Sequence, residues 1–156
     1  MEKAIFAAGC FWGVEAAFRQ VKGVKSTQAG YTGGSVANPS YELVCTGRTG
    51  HAEAVEVTFD PAEVSYEDLL NLFWDSHDPT TLNRQGPDIG AQYRSGVFFL
   101  TPEQEQSARA SKERLRKSGR YSREIVTEIT KATEFYSAED YHQQYFEKRG
   151  ISHCSI

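Results

Sequence analysis

The sequence predicts an α+β fold: a two-layer sandwich with a mixed central sheet flanked by helices and long irregular loops. Three observations carry that expectation. The chain has 156 residues, close to one domain and short for two, so a single core must come from one sheet or one bundle. Apolar residues recur with a period of two in some segments and about 3.6 in others, and the two kinds alternate along the chain. Two polar stretches, Gly30 to Gly50 and Ser76 to Arg94, follow neither period and are rich in glycine or proline. Loops of that length in a compact domain usually serve a site or are disordered.

Taken in order, Lys3 to Ala8 reads as a short first strand. Phe11, Val14, Phe18 and Val21 then recur at helical spacing until Gly23 stops the run, which puts Cys10 at a strand-to-helix turn. After an irregular stretch, Glu53 to Phe59 reads as a strand: Val55, Val57 and Phe59 alternate with Ala54, Glu56 and Thr58 until Asp60-Pro61. Glu53 shares the parity of the apolar set. Ser65 and Asp68 have capping-box spacing ahead of a helix carrying Leu69, Leu70 and Phe73, and Val97 to Leu100 suits a central strand. Thr101-Pro102-Glu103-Gln104 then sets a cap, a first-turn proline and a capping-box partner in sequence. The helix that follows carries Glu105, Arg109, Glu113 and Lys117 at steps of four, a solvated face. Glu124 to Thr130 alternates as a fourth strand, and Ser137 with Asp140 caps a last helix ended by Gly150. Residues 1–156 are expected to form a single catalytic domain, with 150–156 a short flexible C-terminal tail.

Composition excludes several classes of function. Hydrophobic residues make up 39% and charged residues 24%, a balance that supports a packed core. The net charge is -4, with no basic run to track a phosphate backbone, so nucleic acid is not an expected partner. The longest apolar stretch, Ala4 to Trp12, is about half the ~20 residues that span a bilayer, and Glu2 beside Lys3 leaves no net positive segment before it. A cytoplasmic protein with no membrane association is expected.

Three cysteines, Cys10, Cys45 and Cys154, lie far apart, and an odd number cannot pair fully within one chain. No Cys-x-x-Cys occurs, so no metal site is expected. The thiols are either small buried hydrophobes or one reactive group with others in support.

Gly9-Cys10-Phe11-Trp12-Gly13 is the most informative segment. A helix starting there aims free N–H groups and a positive dipole end at the Cys10 sulfur, which is expected to favour the thiolate. Cys10, Phe11 and Trp12 could instead simply continue the strand into the core, although two adjacent large aromatics at a tight turn do not both point inward with ease. Glu53 has two readings as well. Its strand parity turns the carboxyl toward the apolar face, where burial raises a carboxyl pKa, or it is a strand-end carboxylate in an ion pair. Tyr31, Tyr41, His51, His77, Asp78, Asp88 and Tyr93 fill the two long loops with hydrogen-bonding side chains.

The chain resembles the peptide methionine sulfoxide reductases of type A. The resemblance rests on Gly9 to Gly13, Gly50-His51-Ala52-Glu53, Asp78-Pro79-Thr80, Asn83 to Gly90, Gln92-Tyr93-Arg94-Ser95 and Ala138-Glu139-Asp140-Tyr141-His142-Gln143, motifs in the family's order over nearly the whole chain. It implies thiol-dependent reduction of methionine S-sulfoxide, free or in oxidised proteins, through a cysteine sulfenic acid. By this resemblance Cys10 attacks the sulfoxide sulfur, Glu53 protonates the oxygen, and Tyr41 and Tyr93 hydrogen-bond it. Asp88 supports the polar side, and Phe11 with Trp12 holds the methyl group. The resemblance further implies no bound cofactor and recycling by an external dithiol such as thioredoxin after an intramolecular disulfide. Cys154 is the candidate resolving thiol: the four residues from Gly150 can sweep up to about 13 Å. Its tail is shorter and poorer in glycine than many in the family. Cys45 is assigned to packing. Other readings are a thiol peroxidase, an acyl transferase pairing Cys10 with His51 or His142, and a methionine-binding module without turnover.

Overall fold

The structure, a computed structural model, describes residues 1–148. Its centre is a six-stranded sheet built from β1 (Glu2–Ala8), β2 (Val24–Thr32), β3 (Ala52–Phe59), β6 (Ser95–Phe99), β7 (Glu128–Lys131) and β8 (Phe135–Ser137), in the order β7-β6-β1-β3-β2-β8. A separate two-stranded hairpin, β4 (Arg84–Gln85) and β5 (Asp88–Ile89), lies in the second long loop. The helices are α1 (Phe11–Arg19), α2 (Tyr41–Cys45), α3 (Tyr66–Asp75), α4 (Pro102–Lys117) and α5 (Tyr145–Lys148).

Every neighbouring pair in the sheet is antiparallel except β6 and β7, which run parallel. The sheet is therefore mixed, as the sequence predicts. Two parallel neighbours need a crossover, and α4 supplies it. Thr101 caps α4 through its hydroxyl, which accepts the Gln104 N–H at 3.1 Å. The Gln104 side chain accepts the Leu100 N–H and donates to the Lys3 carbonyl, fastening the helix start to β1. Ser65 and Asp68 form the expected reciprocal capping box at α3.

Period-two alternation divides the sheet's side chains. Ala4, Phe6 and Ala8, with Val55, Val57, Phe59, Ala29, Tyr31 and Val97, join the helices in the main core. Phe6 lies between Phe18 and Phe73, with centroids 5.0 and 5.4 Å away. Ile5, Ala7, Ala52, Ala54 and Phe98 form a smaller cluster, with Ala132 and Phe135 packed against it.

Three sequence expectations are corrected. The irregular stretch before residue 53 contains β2, a strand paired on both sides. It escapes the apolar pattern because its buried positions are Thr27, Ala29, Gly30, Tyr31 and Thr32, largely small or polar. Gly30 leaves room for the Phe135 ring, which lies 2.5 Å from where a Cβ would stand. Ser137 caps no helix: it ends β8, and only a short 3-10 turn, Asp140–His142, follows before α5. The fourth strand starts at Glu128 rather than Glu124, because Val126 gives its N–H to the Pro79 carbonyl outside the ladder. The predicted stop at Gly150 and the tail of residues 150–156 lie outside the described residues. Among the described residues, no helix is long and apolar enough to cross a membrane.

Candidate active site

Gly9 turns the chain from β1 into α1 with φ +96°, a conformation that L side chains avoid. Cys10 is then the N-cap residue of α1. It is partly buried, with no capping hydrogen bond formed by its side chain. The next residue makes the decisive contact. Phe11 donates its backbone N–H to Glu53 Oε1 at 3.1 Å, so one unsatisfied donor of the helix start is spent on a carboxyl of β3. Glu53 Oε2 is buried and has no hydrogen-bond partner among the described residues.

Glu53 is 1% exposed. Burial pushes its carboxyl up to about 8, the Phe11 N–H pulls the other way, and the Asp88 carboxylate adds to the rise. At neutral pH the group carries a proton. This decides between the two sequence readings in favour of a buried acid, with no ion-pair partner among the described salt bridges.

The expected stabilisation of the Cys10 thiolate is corrected. Burial, then the Glu53 carboxylate, raise the thiol to about 12, outweighing the Trp12 and Gly13 amides that act in the opposite direction. Below about pH 8 Glu53 is neutral, and its part of the rise falls away while burial remains. The resting group is a thiol.

The long loops bring the predicted polar residues to this pair. Tyr41, at the start of α2, and Tyr93, at the end of a 3-10 turn over Ala91–Tyr93, are half-buried. Burial raises both tyrosine hydroxyls, and the Glu53 charge adds to each rise. Burial also raises the Cys45 thiol, against the pull of a hydrogen bond from the Tyr41 hydroxyl. Both phenols stay neutral hydrogen-bond donors at physiological pH. Asp88 sits on β5, and its charge reaches Cys10, Glu53 and Tyr93. A hollow of about 370 Å³ opens beside Cys10, lined by Val14, Ala17, Leu72, Gln85 and Asp88 among others.

Phe11 is 1% exposed, enclosed by Tyr31, Tyr41 and His142. Trp12 is half-buried, with Tyr145 stacked on it at 3.7 Å. Neither ring lines the hollow beside Cys10. Phe11 is thus a backing wall rather than an open face. Cys45 is exposed, which corrects its assignment to packing. Cys154 lies outside the described residues. Among the described residues, no group of three or more potential ligands could hold a metal ion.

Four supports carry no role in the reductase reading of the sequence, although His142 is named there as a partner of Cys10 in the acyl-transferase alternative. The Glu139 carboxylate accepts the Tyr31 hydroxyl at 2.9 Å and the Tyr41 N–H at 3.1 Å. Gln85 exchanges two hydrogen bonds with the Asp78 backbone and packs against Gly9. Arg94 donates to the Gly50 and Ala91 carbonyls and pairs with Glu128. His142 accepts the Trp12 indole N–H at 2.9 Å. All four lie outside the apolar pattern, and only membership of the quoted motifs marks them in the sequence. The acyl-transferase reading loses His51, whose ring nitrogens meet the Gly34 N–H at 3.0 Å and the Val36 carbonyl at 2.7 Å.

A sequence model described as Peptide methionine sulfoxide reductase matches residues 2–156. The chain belongs to this family. It is 64% identical over 154 residues to the peptide methionine sulfoxide reductase MsrA of Methanoculleus marisnigri, covering 99% of this chain and 94% of the relative. The crystal structure of reduced Mxr1 from Saccharomyces cerevisiae superposes with a TM-score of 0.90 at 34% identity, covering 96% of this chain and 86% of that one. Mxr1 in complex with Trx2 shares the fold at a TM-score of 0.64 and 23% identity, over 92% and 84% of the two chains. The reductase family thus shares with this chain the sheet that places Glu53 behind Cys10.

Proposed function

We propose that this chain is a peptide-methionine (S)-S-oxide reductase, a single catalytic domain over residues 1–156 that reduces methionine S-sulfoxide, free or in oxidised proteins. The observation that carries the reading is the proton-bearing Glu53, tied by its Oε1 to the turn that holds Cys10. A sulfoxide oxygen leaves poorly unless protonated, so a nucleophile needs an acid beside it.

In the proposed reaction the Cys10 sulfur bonds to the sulfoxide sulfur while Glu53 delivers a proton to the oxygen. Tyr41 and Tyr93 donate hydrogen bonds to that oxygen as negative charge develops on it. Asp88 supports the polar side by keeping the Glu53 proton in place through its own charge. Trp12, backed by Phe11, receives the methyl group. The sulfur-oxygen bond then breaks with transfer of oxygen to Cys10, giving methionine and a Cys10 sulfenic acid, and the thiol proton restores Glu53. The sulfoxide gains two electrons and the cysteine loses two.

The Cys154 thiol condenses with the sulfenic acid, forming a Cys10–Cys154 disulfide and releasing water. An external dithiol of the thioredoxin type reduces that disulfide. The Mxr1 relative's complex with Trx2 supports this choice of reductant. The cycle draws its electrons from thiols and needs no bound cofactor, and it suits a reducing compartment such as the cytoplasm.

The test is turnover of the two separated sulfoxide epimers with dithiothreitol. The S epimer is consumed and the R epimer is not, and Cys10→Ser abolishes consumption while the fold persists. Turnover of both epimers, or full activity of Cys10→Ser, overturns the proposal.

A further inference from the structure

We propose that the hollow beside Cys10 belongs to a groove between α1 and α3 that binds the polypeptide flanking a methionine sulfoxide and favours a lysine or arginine close to that residue. The proposal rests on the reading that Cys10 attacks the sulfoxide, and it adds a second contact surface to that site.

The groove follows one face of a helix. Cys10, Gly13, Val14, Ala17 and Gln20 all line it, at positions i, i+3, i+4, i+7 and i+10, so they form one stripe along α1 that begins at the nucleophile. At a rise of about 1.5 Å per residue the stripe runs for roughly 15 Å, the length of four or five extended residues. Phe11 and Trp12, which take up the methyl group in the proposed reaction, do not line it. Most of the groove therefore lies beyond the reacting side chain. Leu72 of α3 stands in its lining with Val14 and Ala17, and these three give an apolar surface on which a neighbouring side chain can rest.

Charge selects the occupant. Two lining residues, Asp75 and Asp88, carry carboxylates, and none is basic. Asp88 lies close enough to Cys10 for its charge to act on the thiol, and it enters no ion pair among the described salt bridges. Asp75 is the last residue of α3, where the helix-end carbonyls add to the negative field. It pairs with Arg120 at 2.7 Å in an exposed bridge, which water screens and a second cation can share. An apolar surface rimmed by carboxylates fits a chain that carries an apolar and a basic side chain near the sulfoxide. Free methionine sulfoxide has no group to place there.

The test measures KM on the full chain with dithiothreitol as reductant. Two seven-residue peptides carry methionine S-sulfoxide at the centre and leucine beside it, with lysine residues at both ends in one and glutamates in the other. The lysine peptide should show a KM about fivefold below the glutamate peptide, and high salt should narrow the gap. Asp75→Lys should abolish that preference and leave KM for free methionine S-sulfoxide unchanged. Glu103→Lys, the same change of charge on α4 away from the groove, should keep it. Ala17→Phe, which fills the stripe, should raise KM for both peptides about tenfold with the free substrate unaffected. Equal KM for the two peptides, a preference that survives Asp75→Lys, or equal effects of the Asp75 and Glu103 variants overturn the proposal. An Asp75→Lys variant altered only in its KM for thioredoxin also overturns it, because the groove then serves the reductant. Failure of the wild-type chain to consume free methionine S-sulfoxide removes the underlying reductase reading, whereas consumption without discrimination between the peptides removes only the groove.

Discussion

Glu53 gives one oxygen to the Phe11 N–H at 3.1 Å and keeps the other buried without a hydrogen-bond partner among the described residues. A buried orphan oxygen is unfavourable in a merely structural carboxyl. It is well suited to an acid that must hold a proton for a partner arriving with the substrate. The rise of the carboxyl to about 8 follows from the same burial.

The first prediction concerns that proton. The reductive step in single turnover should be fastest where Glu53 is protonated and should fall above about pH 8, approaching a tenfold loss per pH unit. Glu53→Gln should slow the step about 100-fold at pH 7 and remove the alkaline limb. Unchanged single-turnover rates in that variant exclude Glu53 as the acid.

A second prediction follows from the raised thiol. Burial keeps Cys10 protonated at neutral pH, where Glu53 is itself neutral and adds its charge only above about pH 8. Iodoacetamide should therefore modify Cys10 more slowly at pH 7 than it modifies free cysteine, as read by site-resolved mass spectrometry. Modification faster than free cysteine would mean that the Trp12 and Gly13 amides outweigh burial.

Recycling supplies a third. Cys154→Ser should still produce one methionine per enzyme molecule, with thioredoxin-driven turnover stalled after it. Undiminished turnover would move the resolving role elsewhere, with exposed Cys45 the first residue to examine.

Two buried groups predict opposite pH limits on stability. Glu53 is raised from 4.5 to about 8 by burial, so the folded state holds its proton more tightly than the unfolded chain. Its contribution is complete below pH 4.5 and is lost as pH rises through 8. His77 is lowered from 6.5 to about 4 by burial, between the Phe73 carbonyl and the Ser95 hydroxyl. Its contribution is complete above pH 6.5 and is lost as pH falls through 4. Glu53→Gln should flatten the alkaline decline in melting temperature, and His77→Gln the acid decline. Profiles that keep both limbs in the variants count against these assignments.

Gly9→Ala is a fifth prediction. The residue combines φ +96° with Gln85 side-chain atoms 2.8 and 2.9 Å from where an added methyl would stand, and Gln85 is pinned to Asp78. The substitution should destabilise the fold by about 1–3 kcal/mol and lower kcat, because the turn also carries Cys10. A stable, fully active variant would show that the turn relaxes freely.

The sequence reveals the elements whose burial is apolar. The strand around Val55 and Val57, the helix around Phe18 and both caps at Ser65 and Thr101 all follow from periodicity and cap chemistry. Glu53 is legible for the same reason, since its parity follows Val55. Strand β2 is not, because Thr27, Gly30 and Thr32 are buried by their neighbours rather than by their own hydrophobicity. Tyr41, Asp88 and Tyr93 are marked as loop residues of interest, yet only the family resemblance selects them. What joins them to Cys10 is long-range chain geometry. The sign of the Cys10 shift also needed the structure, because helix-end amides are visible in a sequence and the depth of burial is not.

Arg94 links the backbone just ahead of Glu53, at Gly50, to the backbone just ahead of Tyr93, at Ala91, and is itself tied to Glu128. The two long loops are thereby coupled into one mechanical unit. Their amide hydrogens should exchange with solvent together, as a single opening event, and Arg94→Lys should let each loop breathe on its own.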